Sequence, residues 1–317
     1  MNEFRYFSDM WLLGYDINII WSILIFFTVF MVLYSGVISL LEPVLPTAIL
    51  ELFRCGKTLN GPVQSSLVAL ISVPKSYFTH FYIFSSIYVP ALLCLAFWES
   101  SGRNLPEQVA PALDFLCTSN RTANTSRTAT LIALIFLSLQ CFRRLYECVS
   151  VNQASKSTMN ITHYIVGFAH YFCTGTGILC EAPGFAPGRG TAPVGVPMWR
   201  TDQFAIFVIL TFVFFSAWTE QLNAHRTFAQ LKIANPTKHS IPTGGLFTLV
   251  SCPHYTMEIL IYTILLLVLG VNHSTMLLVW TWVVINQCIA GLMSHSWYQA
   301  TFKDYPSTRK AIIPYLL

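Results

Sequence analysis

Seven long apolar runs alternate along the chain with polar stretches: Ile19 to Leu41, Phe81 to Trp98, Thr128 to Phe142, Ile161 to Cys180, Phe204 to Trp218, Tyr255 to Gly270 and Ser274 to Met293. A helix needs about 20 largely apolar residues to cross a bilayer, so the pattern predicts seven transmembrane helices. The third and fifth runs are short and must borrow flanking residues or tilt differently from their neighbours. The expected fold is all-α, a single polytopic membrane domain over residues 1–317.

Composition narrows the reading further. Of the 317 residues 54% are hydrophobic, 15% aromatic and only 10% charged, against roughly 25% charged in a soluble domain. Disorder is excluded because aromatic residues are plentiful and charge is scarce. The net charge of +4 is too weak and too scattered to point to nucleic acid, and no obligate protein partner is evident. The nine cysteines (55, 94, 117, 141, 148, 173, 180, 252 and 288) show no CxxC spacing and read as buried apolar fillers. Glu3, Arg5 and Asp9 precede the first run, so no cleavable leader is expected and the first span serves as its own insertion signal.

The few charges matter by position. With the N-terminus outside, the inner segments hold Arg54, Lys57, Lys75, Arg143, Arg144, Lys156, Arg226, Lys232, Lys238, Lys303, Arg309 and Lys310, and the outer ones Arg5, Arg103, Arg121, Arg127, Arg189 and Arg200. Twelve against six favours a lumenal N-terminus and a cytosolic C-terminus. The sequons at Asn120 and Asn124 fall in a loop that this topology makes lumenal, whereas Asn160 falls on the cytosolic side and should stay bare. The sequon at Asn272 is also lumenal but lies close to the membrane. The lumenal stretch 181–202, rich in Pro, Gly and Ala, reads as an irregular cap without catalytic groups.

Candidate chemistry therefore gathers on the cytosolic face. Glu258 is the only acid well inside a predicted span, and such a carboxylate must face a cavity, pair or bind something. His254 lies one turn earlier on the same helix face. Gln221 and His225 repeat that spacing where the fifth span ends, and His295 with Tyr298 closes the seventh. Each pair alone reads as a helix exit or an interfacial anchor; three at one face point to a shared site. Arg144, Lys232 and Lys238 are among the basic groups there that suit phosphates. No GxGxxG joins a strand to a helix, so a dinucleotide would be bound by helices and loops rather than by a Rossmann domain. There is no HExxH, no His spacing for a metal and no GxSxG.

The segments IPTGGLFTLVSCPHYTMEI (241–259) and SHSWYQATFKDYPSTRKAIIP (294–314) resemble the C-terminal signature of the steroid 5α-reductase family, and residues 160–317 form that signature region. GKTL (56–59), VPKSYFTHFYI (73–83) and FRRLYECVSV (142–151) resemble its polyprenol reductase branch. The resemblance implies a seven-helix enzyme of the endoplasmic reticulum membrane. It would use NADPH to reduce the α-isoprene double bond of a long-chain prenyl lipid in dolichol synthesis for N-glycosylation. It assigns Glu258 to the nicotinamide end of the cofactor. Tyr298 then belongs to the last polar motif, Arg144 to the cytosolic loop after the third span, and Lys232 to the position of an arginine near the adenosine phosphate. Gln221 and His225 fit the motif of the fifth span, His254 stands where steroid reductases have asparagine, and His295 fits SHxxY. The Tyr with which steroid reductases grip their ketone corresponds to Cys141, and no carboxylate stands in 73–83, which weakens a steroid substrate. His80, with Tyr77 beside it, becomes the candidate for the substrate head, and His295 is a third catalytic candidate.

Electron demand refines the reaction. An allylic alcohol is a poor hydride acceptor, whereas the enal takes hydride at its β carbon because its carbonyl oxygen receives the charge; His80 or Tyr77 would steady that oxyanion. A 3-oxo-Δ4 steroid 5α-reductase, a prenyl-lipid methyltransferase using S-adenosylmethionine, and a seven-helix receptor are the rival readings.

Overall fold

The structure is a computed structural model and describes residues 16–54, 65–151, 157–187 and 201–317. Seven long helices lie on the seven apolar runs: α1 (Ile19–Leu41), α2 (Phe78–Ser100), α3 (Arg127–Tyr146), α4 (Ile161–Cys180), α5 (Thr201–Ala234), α6 (Pro253–Leu269) and α7 (Ser274–Thr301). Five, with their continuations, are long and apolar enough to cross a membrane: Ile19–Val44, Lys75–Ser100, Arg127–Val151, Phe204–Ala234 and Ser274–Thr301. α6 is apolar but shorter, and α4 carries His163, His170 and three threonines. The chain is thus a multi-pass helical membrane protein.

Local chemistry sets the starts. Side chains of Asn18, Ser126, Asn160 and His273 accept backbone N–H groups of Trp21, Ala129, Thr162 and Met276, satisfying donors that a first turn leaves orphaned. α6 begins on Pro253, where a missing N–H costs nothing. The two short runs are completed by polar turns. α3 continues to Tyr146 and then through a π-turn at Glu147–Val151, and α5 runs 34 residues to Ala234. Two expectations are thereby corrected. Arg144 belongs to the last turn of α3 rather than to a loop, and Glu258 is not the only acid carried into the bundle, because Glu147 follows α3 directly and is fully buried.

The all-α reading needs one amendment, a two-stranded antiparallel ladder in which Ser72–Pro74 (β1) pairs with Thr158–Asn160 (β2), Ser72 opposite Asn160. It ties the approach to α2 to the start of α4 at the end of the bundle where α3 and α5 finish. Inside, α2 packs on α3 and α4, α6 on α3, α5 and α7, and α1 on α7. Leu24, Leu134, Leu137, Ile178, Ile261, Leu265, Met276 and Val279 form the buried centre. Close approach of α2 and α4 depends on Gly167, where a Cβ would stand 2.5 Å from the Phe81 ring. Gly167→Ala is expected to cost about 1–3 kcal/mol through overpacking, read as a lowered Tm of the purified protein.

At the opposite end, Glu181 accepts the backbone N–H groups of Ser274 (3.0 Å) and Thr275 (2.6 Å) and the Asn124 side-chain amide (2.9 Å). A carboxylate there neutralises the positive end of α7. His273 Nδ1 lies 3.5 Å from the same carboxylate, and burial pushes the imidazole below its usual range against the pull of that charge. The stretch expected to be a plain cap thus opens on a buried clamp; residues 188–200 lie outside the described residues. Asn120, in the other sequon of this region, donates to Asp16 Oδ2 at 3.1 Å. Asn160 is buried and caps α4 with its side chain. None of the eight described cysteines is in a disulfide; Cys55 is outside the described residues.

Candidate functional site

A charged network fills the end of the bundle where α3 and α5 finish and α6 begins. Glu147, fully buried, accepts from Arg143 Nη1 at 2.5 Å, from Arg144 and from His225 Nδ1 at 2.7 Å. Arg144 also donates to the Tyr82 hydroxyl at 2.8 Å and lies over its ring. The same His225 Nδ1 is 2.7 Å from Arg144 Nη1. A guanidinium only donates and a carboxylate only accepts, so Nδ1 serves one of the two at a time: carrying the proton it donates to Glu147, and without it it accepts from Arg144.

A second carboxylate hangs from this frame through amides. Glu258 Oε2 accepts from Gln140 Nε2 at 3.0 Å and from Gln221 Nε2 at 2.5 Å. The Gln221 carbonyl takes Arg143 and Gln140, and its nitrogen also reaches the His254 carbonyl at 2.9 Å. Two arginines and two carboxylates therefore balance within one cluster, as buried charges require. One carboxylate oxygen, Glu258 Oε1, takes no hydrogen bond in this network.

The remaining groups of that end form a ring-lined flank. His254 packs against His225, Phe228 and Tyr255, with centroids 5.4, 5.0 and 4.0 Å apart. His295 Nδ1 meets Ser251 Oγ at 2.6 Å, and Tyr298 stacks on Tyr305 at 5.4 Å. Arg309, buried, lies over the Tyr305 ring and donates to the Pro242 carbonyl at 3.1 Å. Lys232 donates to the Pro236 carbonyl at 2.5 Å from the last turn of α5, and Lys238 is exposed in the following loop.

The structure thus unites Arg144, Gln221, His225, His254 and Glu258, sets His295 and Tyr298 in the last turns of α7 beside Ser251 and Tyr305, and leaves Lys232 and Lys238 at the rim. His80 and Tyr77 stand apart. Their rings pack at 4.6 Å, and His80 Nδ1 bonds the Tyr164 hydroxyl at 3.2 Å on an exposed α2–α4 face. Neither shares a hydrogen bond with the Glu147–Glu258 network. Sequence reading missed Glu147, Gln140, Tyr82, Ser251 and Tyr305. Glu147 and Gln140 lie four and three residues from Arg143, a helical spacing that could have flagged them had α3 been extended.

A dinucleotide suits this donor set better than a metal does. Nε of Arg143 and of Arg309 are buried without a hydrogen-bond partner, donors that an anion or a carbonyl could satisfy, and aromatic rings flank them. Among the described residues no three His, Cys, Asp or Glu come together to hold a metal ion. The surface recess lined by Glu99, Arg127, Thr130 and Phe185 lies at the other end of the bundle and touches none of these groups.

A multi-pass helical membrane protein with a buried, charge-balanced centre at one end of its bundle is the class that fold and site define. Residues 157–317 match the family described as 3-oxo-5-alpha-steroid 4-dehydrogenase. The chain is 34% identical over 313 residues to the polyprenal reductase of Drosophila melanogaster, covering 96% of this chain and 94% of that protein. It is 36% identical over 276 residues to that of Caenorhabditis elegans (83% and 85% covered) and 30% over 294 residues to that of Homo sapiens (88% and 91%). The chain belongs to the steroid 5α-reductase family.

Proposed function

We propose that this protein is a polyprenal reductase, reducing the α,β double bond of a long-chain prenal with a hydride from NADPH on the route to dolichol. The reading is carried by similarity to polyprenal reductases over nearly the whole chain, and the buried centre falls within the matched length. It includes a seven-span bundle in the endoplasmic reticulum membrane, N-terminus lumenal, with the site at the cytosolic end. Membrane lipids surround the chain and supply the substrate.

When bound, NADPH supplies the hydride. Glu258, fixed through one oxygen by Gln140 and Gln221, offers the other as acceptor for the carboxamide N–H of the nicotinamide. Arg144 and His225 hold that frame to α2 and α3. Tyr298, His254 and His295 would line the flank of a bound dinucleotide, and Lys232 and Lys238 at the rim would hold its adenosine phosphate. His80 and Tyr77, exposed on the α2–α4 face, stand where a prenyl head arriving sideways from the bilayer first meets polar groups. Their role in this reading is to receive that head rather than to touch the reacting carbons. Cys141, buried near Ser85 and Glu258, offers no hydroxyl for a steroid ketone.

The cofactor is tested by thermal stability in detergent, since a ligand that binds only the folded state raises Tm. NADPH is expected to raise it at concentrations where NADH has a weaker effect and S-adenosylmethionine none. A rise with S-adenosylmethionine alone would replace this reading with the methyltransferase one.

A further inference from the structure

Tyr262 and His170, paired across α6 and α4, take no part in the charged network. Tyr262 lies on α6 one turn deeper than Glu258 and is fully buried, and its hydroxyl meets Nε2 of His170 on α4 at 2.6 Å. Residues four apart share a helix face, so the phenol and the Glu258 carboxylate look into the same side of the bundle. The two lie within electrostatic reach of each other, as do Glu258 and Tyr82. The other imidazole nitrogen, His170 Nδ1, is buried without a hydrogen-bond partner. A clamp between helices gains nothing from an unsatisfied nitrogen, and ionisable groups inside a membrane bundle are costly unless they function. An imidazole bonded through one nitrogen and open at the other is in the state a proton carrier needs.

Reduction of an enal needs such a carrier. Hydride delivered to the β carbon brings the electron pair of the new C–H bond, and the π pair of the double bond moves onto the α carbon and the carbonyl oxygen. The α carbon must then take a proton. An ionised Glu258 only accepts, the amides of Gln140 and Gln221 hold their protons, and a guanidinium does not deprotonate. Tyr82 is a phenol, but its hydroxyl is paired with Arg144, which cannot return a proton to it. Tyr262 has a partner that can.

We propose that Tyr262 is the acid that protonates the α carbon, with His170 as the positioning residue that holds the phenol and reloads it; this rests on the polyprenal reductase reading. The Tyr262 O–H breaks and its proton forms the Cα–H bond, leaving the saturated aldehyde and a phenolate that accepts the His170 Nε2–H. As product leaves, Nδ1 takes a proton from water while the Nε2 proton passes to the phenolate. Overall the double bond gains one hydride and one proton, water supplies the proton, and Tyr262 is again a phenol; His170, left as its Nδ1–H tautomer, regains Nε2–H by proton exchange with water before the next turnover.

The test is Tyr262→Phe in the full-length protein, assayed on polyprenal with NADPH in deuterated water, with Tyr82→Phe alongside. Wild type should place deuterium at the α carbon on one face only. In Tyr262→Phe, kcat should fall about a hundredfold, the scale of general acid catalysis, and the residual product should carry deuterium on both faces. The rise in Tm with NADPH should stay unchanged, and Tyr82→Phe should keep the single face. A Tyr262→Phe enzyme within threefold of wild-type kcat, still labelling one face, overturns the proposal. If Tyr262→Phe does not fold, His170→Asn decides: a slowed reaction with a shifted pH profile supports the relay, and an unchanged profile refutes it. Wild type that leaves polyprenal untouched would defeat the functional reading instead.

Discussion

Alanine at Glu147 is expected to cost about 3–5 kcal/mol of stability, because it leaves Arg143 and Arg144 as uncompensated charges inside the protein. Glu147 is 0% exposed and is held by both arginines and by His225. Such a loss is comparable to the whole stability of many domains, so Glu147→Ala should accumulate poorly and show a Tm far below wild type. Glu147→Gln should be milder, since the amide oxygen can still accept one arginine while the NH2 group faces another donor. A Glu147→Ala protein with wild-type Tm would show that the network does not bind α3 and α5 into one frame.

Glu258→Gln is expected to separate binding from folding. The variant keeps an oxygen for the Gln140 and Gln221 amides and Glu147 still pairs both arginines, so Tm without ligand should fall much less than in Glu147→Ala. It loses the charged acceptor proposed to receive the carboxamide of the cofactor. A hydrogen bond to a charged group contributes about 1.5–3 kcal/mol, roughly a 10- to 150-fold weakening of NADPH affinity. Titration of the Tm rise against NADPH concentration measures it, and turnover at fixed low NADPH should fall in parallel. An unchanged titration would remove Glu258 from the cofactor site.

Much of this architecture was legible in the apolar runs, because a helix in hydrocarbon must satisfy its own backbone and must be long. All seven runs became helices. The polar turns that extend α3 and α5 were not legible, because a hydropathy pattern stops at the first charges even where the helix continues. That is why Arg144 is expected in a loop and why Glu147, three residues beyond it, is not picked out. That His254 and Glu258 stand one turn apart on α6, and Gln221 and His225 on α5, follows from the four-residue spacing alone. What spacing could not supply was the cross-helix partner: Gln140 bridges Gln221 and Glu258 across 81 and 118 residues. The β1–β2 ladder is equally long-range, and its three-residue strands carry no period that a sequence could display. His80 was chosen from a polar segment near the mouth, and an exposed α2–α4 face is where that segment leads.

The most direct measurement follows the lipid itself. Purified protein is incubated with polyprenal or polyprenol and NADPH, and the products are analysed by mass spectrometry. Polyprenal should be converted to an aldehyde two hydrogens heavier in its α-isoprene unit while polyprenol stays unchanged. Reduction of polyprenol with polyprenal left intact would contradict the enal chemistry, and reduction of neither would contradict the proposed function.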